Sequence, residues 1–122
     1  MAGGRKGLQN FEWKNIGGDI MTTKEFRDYV VECLGCFENI TCRAMMGEYL
    51  LYKDGLLFGG IYDGRVLVKI VPQNEEFNMK EQIPYNGAKP MYYLENLDNQ
   101  DLVKEVVEAT CKGLILKGAK HK

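Results

Sequence analysis

Two Asp-Gly pairs, Asp54-Gly55 and Asp63-Gly64, bracket the short apolar run LLFGGIY. Asp-Gly between alternating apolar residues marks a two-residue hairpin corner, because a type I′ turn needs positive φ at both central positions. Two such corners in succession predict an antiparallel meander. The flanking residues have a period of two, and Thr41–Met46, Glu48–Lys53, Leu56–Tyr62 and Arg65–Val71 read as four strands. A phosphate-binding glycine loop would follow a strand and open a helix. Here the glycines sit in corners and inside a strand, and no Gly-Lys-Ser/Thr follows.

If both corners are two-residue loops, they set the cross-strand register. Lys53 then opposes Leu56 and Leu51 opposes Phe58; Tyr62 opposes Arg65, Gly60 opposes Leu67 and Phe58 opposes Lys69. One face would carry Leu50, Tyr52, Leu57, Gly59, Ile61, Val66, Val68 and Ile70, and belongs under helices. The other would carry Tyr49, Leu51, Lys53, Phe58, Gly60, Tyr62, Arg65, Leu67 and Lys69. That mixture of aromatic, aliphatic and basic groups is too apolar to meet only water. It suits a protein partner or a second copy of the chain, with Tyr49, Leu51, Phe58, Tyr62, Arg65, Leu67 and Lys69 as the binding residues. The alternative cover is the N-terminal leader or the 72–90 loop.

Helices are expected on either side of the meander. Thr22-Thr23-Lys24-Glu25 has capping-box spacing, and Phe26, Tyr29, Val30, Cys33, Leu34 and Phe37 follow at helical period. A helix over 23–38 is predicted, weakened at Gly35 and ended by Asn39. A second helix starts at Asp98 or Asn99, buries Leu102, Val103, Val106 and Thr110, and has Gly113 where a C-cap belongs. Glu75, Glu76, Lys80 and Glu81 mark a solvated loop, and Pro84-Tyr85-Asn86-Gly87 a turn. Pro90–Leu94 reads as a fifth strand, placed at an edge by its opening proline. The fold class is therefore α+β: a two-layer domain with an antiparallel β-meander sheet packed against N- and C-terminal helices.

A chain of 122 residues is one domain's worth. Residues 1–20 read as a leader or flexible arm, with Phe11, Trp13 and Ile16 able to form a short strand. Residues 21–115 form the single domain, and residues 116–122 a basic tail. The formal net charge of -1 gives no global field favouring nucleic acid or an anionic membrane. No apolar run approaches the roughly 20 residues that span a bilayer. The leader lacks an apolar signal core, so a cytoplasmic protein with reduced thiols is expected.

Catalytic constellations do not stand out. Cys33-Leu34-Gly35-Cys36 lies near a helix C-terminus, the wrong end for stabilising a thiolate, and Cys33 falls in the apolar stripe. Cys33, Cys36, Cys42 and Cys111 are read as core thiols, with a metal or redox sensor as the alternative. His121 is the only histidine and lies in the tail, so no histidine-based triad can be assembled. Glu48 is expected to project on the apolar face beside Ile61 and to pair with Arg43, or else to sit at the sheet rim. Tyr49, Phe58 and Tyr62 beside Lys53, Arg65 and Lys69 also suit a single-strand nucleic-acid platform. The six methionines are taken as core filler. No cofactor and no metal are expected.

Arg43, Met45-Met46-Gly47-Glu48, Tyr49, Asp54-Gly55, Phe58 and Leu67-Val68-Lys69 are similar to the core of the TfoX N-terminal domain family. That core runs Arg, Met-Phe-Gly-Gly, Tyr, Asp-Gly, Phe and Leu-x-Leu-Lys. Pro84-Tyr85, Gly87 and Met91-Tyr92-Tyr93 resemble its later proline-aromatic turn and strand, so the resemblance covers roughly 23–114. Met46 stands for the Phe and Glu48 for the second Gly, a variant associated with small stand-alone members. The resemblance implies a two-layer α+β fold, related to secretion-chaperone-like domains that often dimerise. It also implies a non-enzymatic regulatory or adaptor module, tied in long members to competence and transcriptional control. A nucleic-acid-binding accessory protein is the alternative function.

Overall fold

A computed structural model of the chain describes residues 23–118. The leader, its candidate strand and His121 lie outside the described residues.

Helix α1 spans Lys24–Cys33, and the Thr23 hydroxyl accepts the Phe26 amide at 3.1 Å, so the cap falls one residue later than the Thr22–Glu25 box predicts. It stops short of the predicted residue 38. Leu34 is the C-cap, Gly35 follows it, and Phe37 reaches the core from outside the helix.

Strands β1 (Ile40–Met45), β2 (Glu48–Lys53), β3 (Leu56–Tyr62) and β4 (Arg65–Val68) follow in a meander. A 3-10 turn over Pro72–Phe77 leads to β5 (Lys80–Gln82) and β6 (Met91–Tyr93), and helix α2 (Gln100–Leu116) closes the domain. The sheet is antiparallel, in the order β1-β2-β3-β4-β6-β5. Two expectations change here. The charged stretch read as a loop supplies β5, which is too short and polar to show alternation. The strand opened by Pro90 is interior, between β4 and β5, because the proline precedes the first paired residue and costs the ladder nothing.

Both Asp-Gly corners form as predicted, with φ of 53° and 78° at Asp54 and Gly55 and of 53° and 72° at Asp63 and Gly64. A third corner of the same kind joins β1 to β2 at Met46 and Gly47, with φ of 52° and 85°. The register beyond the second Asp-Gly corner is as expected: Tyr62 faces Arg65 and Gly60 faces Leu67, and the Lys69 amide reaches the Phe58 carbonyl at 2.9 Å.

The first Asp-Gly hairpin departs from its predicted register. Lys53 faces Leu56 and Tyr52 faces Leu57, but Leu51 then faces Gly59. Phe58 is an extra residue, a bulge that moves every later pair by one. The physical reason is burial: with the bulge, Leu56, Phe58 and Ile61 all reach the core that the helices cover. The predicted outer face is therefore two half-faces. Tyr49, Leu51 and Phe58 share the helix-covered side, where Leu51 and Phe58 are fully buried. Tyr62, Arg65 and Leu67 belong to the other side, joined there by Leu50, Tyr52 and Leu57, which had been assigned to the core.

The core joins Phe26, Val30 and Cys33 of α1 and its C-cap Leu34 with Val103, Val106, Val107, Cys111 and Leu114 of α2, over the sheet. The 3-10 turn is locked to α2 through Asn74, whose amide donates to the Lys69 carbonyl at 2.9 Å and to the Thr110 hydroxyl at 2.8 Å. Gly113 is not the C-cap. It lies inside α2, where an added Cβ would sit 2.6 Å from Val71 side-chain atoms, so its missing side chain lets the turn pack against the helix. No helix among the described residues is long and apolar enough to cross a membrane.

Candidate interaction site at the open end of the sheet

The three corners divide the sheet into two ends. Asp54-Gly55 lies at one end, while Met46-Gly47 and Asp63-Gly64 share the other with the end of β6 and the start of β5; the 83–85 segment folds back from the end of β5 to reach it through Arg65 and Tyr62. At the Asp54 end the backbone is fastened. The Asn39 side-chain amide donates to the Asp54 carboxylate at 2.7 Å, the Asp54 amide donates to the Asn39 carbonyl, and Lys53 pairs with Asp54 at 3.1 Å while lying over Phe37.

The opposite end is held together from within and presents apolar groups outward. The Glu48 carboxylate accepts the Asp63 amide at 3.1 Å and joins the two corners. Glu48 thus acts across the sheet end, where a pair with Arg43 had been expected; Arg43 itself is exposed on β1. The Arg65 guanidinium donates to the Tyr62 carbonyl, to Gln82 at 2.6 Å and to the Ile83 carbonyl, and lies 3.7 Å from the Asp63 carboxylate. It therefore clamps β4 to β5. Tyr85 stacks obliquely on Tyr62 with ring centroids 6.2 Å apart, so the 83–85 segment packs beside the outer half-face. Burial, then the Tyr85 and Glu48 neighbours, push the Tyr62 phenol up, and it stays protonated.

Around this frame stand four exposed apolar side chains: Met45 (42%), Met46 (96%), Ile83 (54%) and Tyr85 (60%). Met46 combines near-complete exposure with a left-handed backbone that a thioether side chain disfavours. No apolar periodicity marks this site, since the residues come from a corner and a loop. Gly47 between two period-two stretches was the available signal for the corner.

The predicted partner residues are thus scattered. Tyr49 lies under the Arg27 guanidinium, 5.1 Å from its ring centroid, on the helix side. Leu51, Phe58 and Leu67 are fully buried and cannot touch a partner in this fold. Lys69 is half-buried, and burial and then Lys117 lower its pKa. Of the seven residues, Tyr62 and Arg65 frame the open end. Among the motif residues, Met45, Met46 and Glu48 are part of it and Gly47 completes its corner.

The thiols are unlinked, with Cys33 and Cys111 buried, Cys42 half-buried and Cys36 exposed. Burial pushes the Cys33 and Cys42 thiols up, and Cys111 up to about 11, which disfavours the thiolate. Among the described residues no group of three His, Cys, Asp or Glu is placed to hold a metal ion. A cleft of about 170 Å3 opens between α1, Gly64 and the 93–98 segment. Tyr29 donates to Asp98 across it at 2.6 Å, and burial followed by that bond holds the phenol well above the usual tyrosine range. It is smaller than the roughly 300 Å3 at which small-molecule sites begin.

The matched portion of the chain in a scan of family models runs over residues 32–112, from the end of α1 through the whole sheet and most of α2. The matching family is the TfoX N-terminal domain. No curated protein matches the chain. With the three corners, the bulge and most of the closing helix inside the matched span, the chain belongs to the TfoX N-terminal domain family.

Proposed function

We propose that this chain is a non-enzymatic regulatory or adaptor domain that docks a protein partner with the open end of its sheet. The carrying observation is Met46, an almost fully exposed apolar side chain on a left-handed backbone. Such strain persists where the surroundings hold it, and it gathers at binding sites. The partner that fits offers an apolar pocket for Met46 and Tyr85, with polar groups for the Glu48 and Arg43 rim. The family is named for a competence regulator, which makes competence or transcriptional control the proposed setting. Burial that raises the Cys33, Cys42 and Cys111 thiols favours a binding role over thiol chemistry at those positions.

Nucleic acid fits less well, because two of the three cations of the expected platform, Arg65 and Lys53, are engaged and the third, Lys69, is half-buried. Arg65 is bound to Gln82, Tyr62 and Ile83, and Lys53 to Asp54. The test compares affinity capture by wild type and Met46→Asn, a residue that tolerates the left-handed corner. A defined protein retained by the wild type and lost by a Met46→Asn that is folded and no less stable is expected. An identical retained set for both would overturn the reading.

A further inference from the structure

The two edges of the sheet are built differently. The β5 edge is three residues long and carries Lys80 and Glu81, both exposed. Short, charged edges resist pairing with another chain. The β1 edge is six residues long, Ile-Thr-Cys-Arg-Ala-Met, regular throughout its pairing with β2, and has one charge and no proline. Among the described residues no strand pairs with its outer side.

Which groups face outward follows from the corner. In a type I′ turn at Met46-Gly47 the Met45 carbonyl accepts the Glu48 amide. Bonded and non-bonded positions then alternate along β1. Met45, Arg43 and Thr41 therefore point their backbone groups at β2, and the Asn39 carbonyl does so too, accepting the Asp54 amide at 2.9 Å. Ile40, Cys42 and Ala44 point their amides and carbonyls away from the sheet.

We infer that this edge pairs with the same edge of a second copy, antiparallel and centred on Cys42, joining two sheets into one. A two-fold antiparallel pairing must place one residue opposite its own copy. Centred on Cys42, the pairing sets Ile40 opposite the second copy's Ala44, and all three outward residues of each copy are bonded. Thr41 then faces Arg43 of the other copy. Centred on Arg43, it would place like charges directly opposite and leave Ile40 outside the paired run, a weaker arrangement. The Cys42 register is thus the one that bonds all three outward residues of each copy and opposes no like charges, so the edge is complementary to itself and a second copy fits it. Arg27, which lies on the helix side near Cys42, is already paired with Asp28 at 2.7 Å and adds no net repulsion at the joint. This edge shares Arg43 and Met45 with the open end but leaves Met46 and Tyr85 outside the pairing, and mass and cross-linking can fail while capture through Met46 stands.

The test is the mass in solution of the full chain. Wild type is expected at twice the 13.9 kDa of one chain in sedimentation at tens of micromolar. Ala44→Pro removes an amide that points away from β2, so the monomer keeps its fold by circular dichroism while the mass halves. A short bis-maleimide provides a second readout, each maleimide adding one cysteine sulfur across its double bond. With Cys36→Ser it should link two chains, and with Cys36→Ser and Cys42→Ser together it should not. A monomeric wild type, a folded Ala44→Pro that stays dimeric, or no link through Cys42 would each overturn the proposal. If Ala44→Pro does not fold, the cross-link decides alone.

Discussion

The two Asp-Gly corners have the same residues and almost the same backbone angles, yet they behave differently. Around Asp54-Gly55 the neighbours converge: Asn39, Lys53 and Phe37 fasten the corner, and α2 brings Cys111 close enough to feel both charges. The strand that leaves this corner bulges within three residues so that Phe58 can enter the core. Around Asp63-Gly64 the neighbours are another corner and a loop, the strands run in register, and exposed methionines stand beside it. A corner thus sets the first pair or two of a hairpin. What happens beyond it depends on which side of the sheet offers more apolar surface to bury.

The largest effect expected from this contrast is at the bulge. Phe58→Ala should cost about 3–5 kcal/mol, read as a lower urea midpoint, because it empties a fully buried site. A loss below about 1 kcal/mol would mean that the bulge is not held by burial. The Cys111 thiol at the fastened end gives a pH signature. Its folded pKa is raised from 9.0 to about 11 by burial, so its contribution is fully present below pH 9 and fades as pH rises toward 11. The alkaline loss should be on the order of 2 kcal/mol and should vanish in Cys111→Ala, measured by denaturation across that window.

Smaller effects separate the two corners themselves. Gly55→Ala and Gly64→Ala each force a side chain into positive φ and should each cost about 1–2 kcal/mol in thermal denaturation. Only Gly64→Ala should also weaken partner capture, since only that corner adjoins Met46. The smallest change has the opposite sign. Met46→Asn should stabilise by about 1 kcal/mol, because asparagine tolerates the left-handed corner, and it should still lose the partner. Stability and binding moving together would argue that Met46 serves the fold alone.

Much of the architecture was legible because it is written in local chemistry. A threonine cap for α1, placed one residue early, Asn99 as a cap, both Asp-Gly corners and the helical stripes all act within a few residues. The two-layer α+β class followed from their order. The candidate site was legible only in part: Tyr62, Arg65 and the Met45–Glu48 motif had been singled out, but Ile83 and Tyr85 had not been connected to them. β5 was missed because three polar residues carry no periodic signal, and Gly113 was misread because a cap and a close-packing glycine look alike in sequence.

Sequence alone determined which segments turn, which are helical and which alternate, since those choices rest on φ preferences and spacing along the chain. Tertiary structure alone decided the side of the sheet to which each side chain belongs. One inserted position at Phe58 reverses that assignment, and only the core that α2 closes over β3 makes the insertion worthwhile.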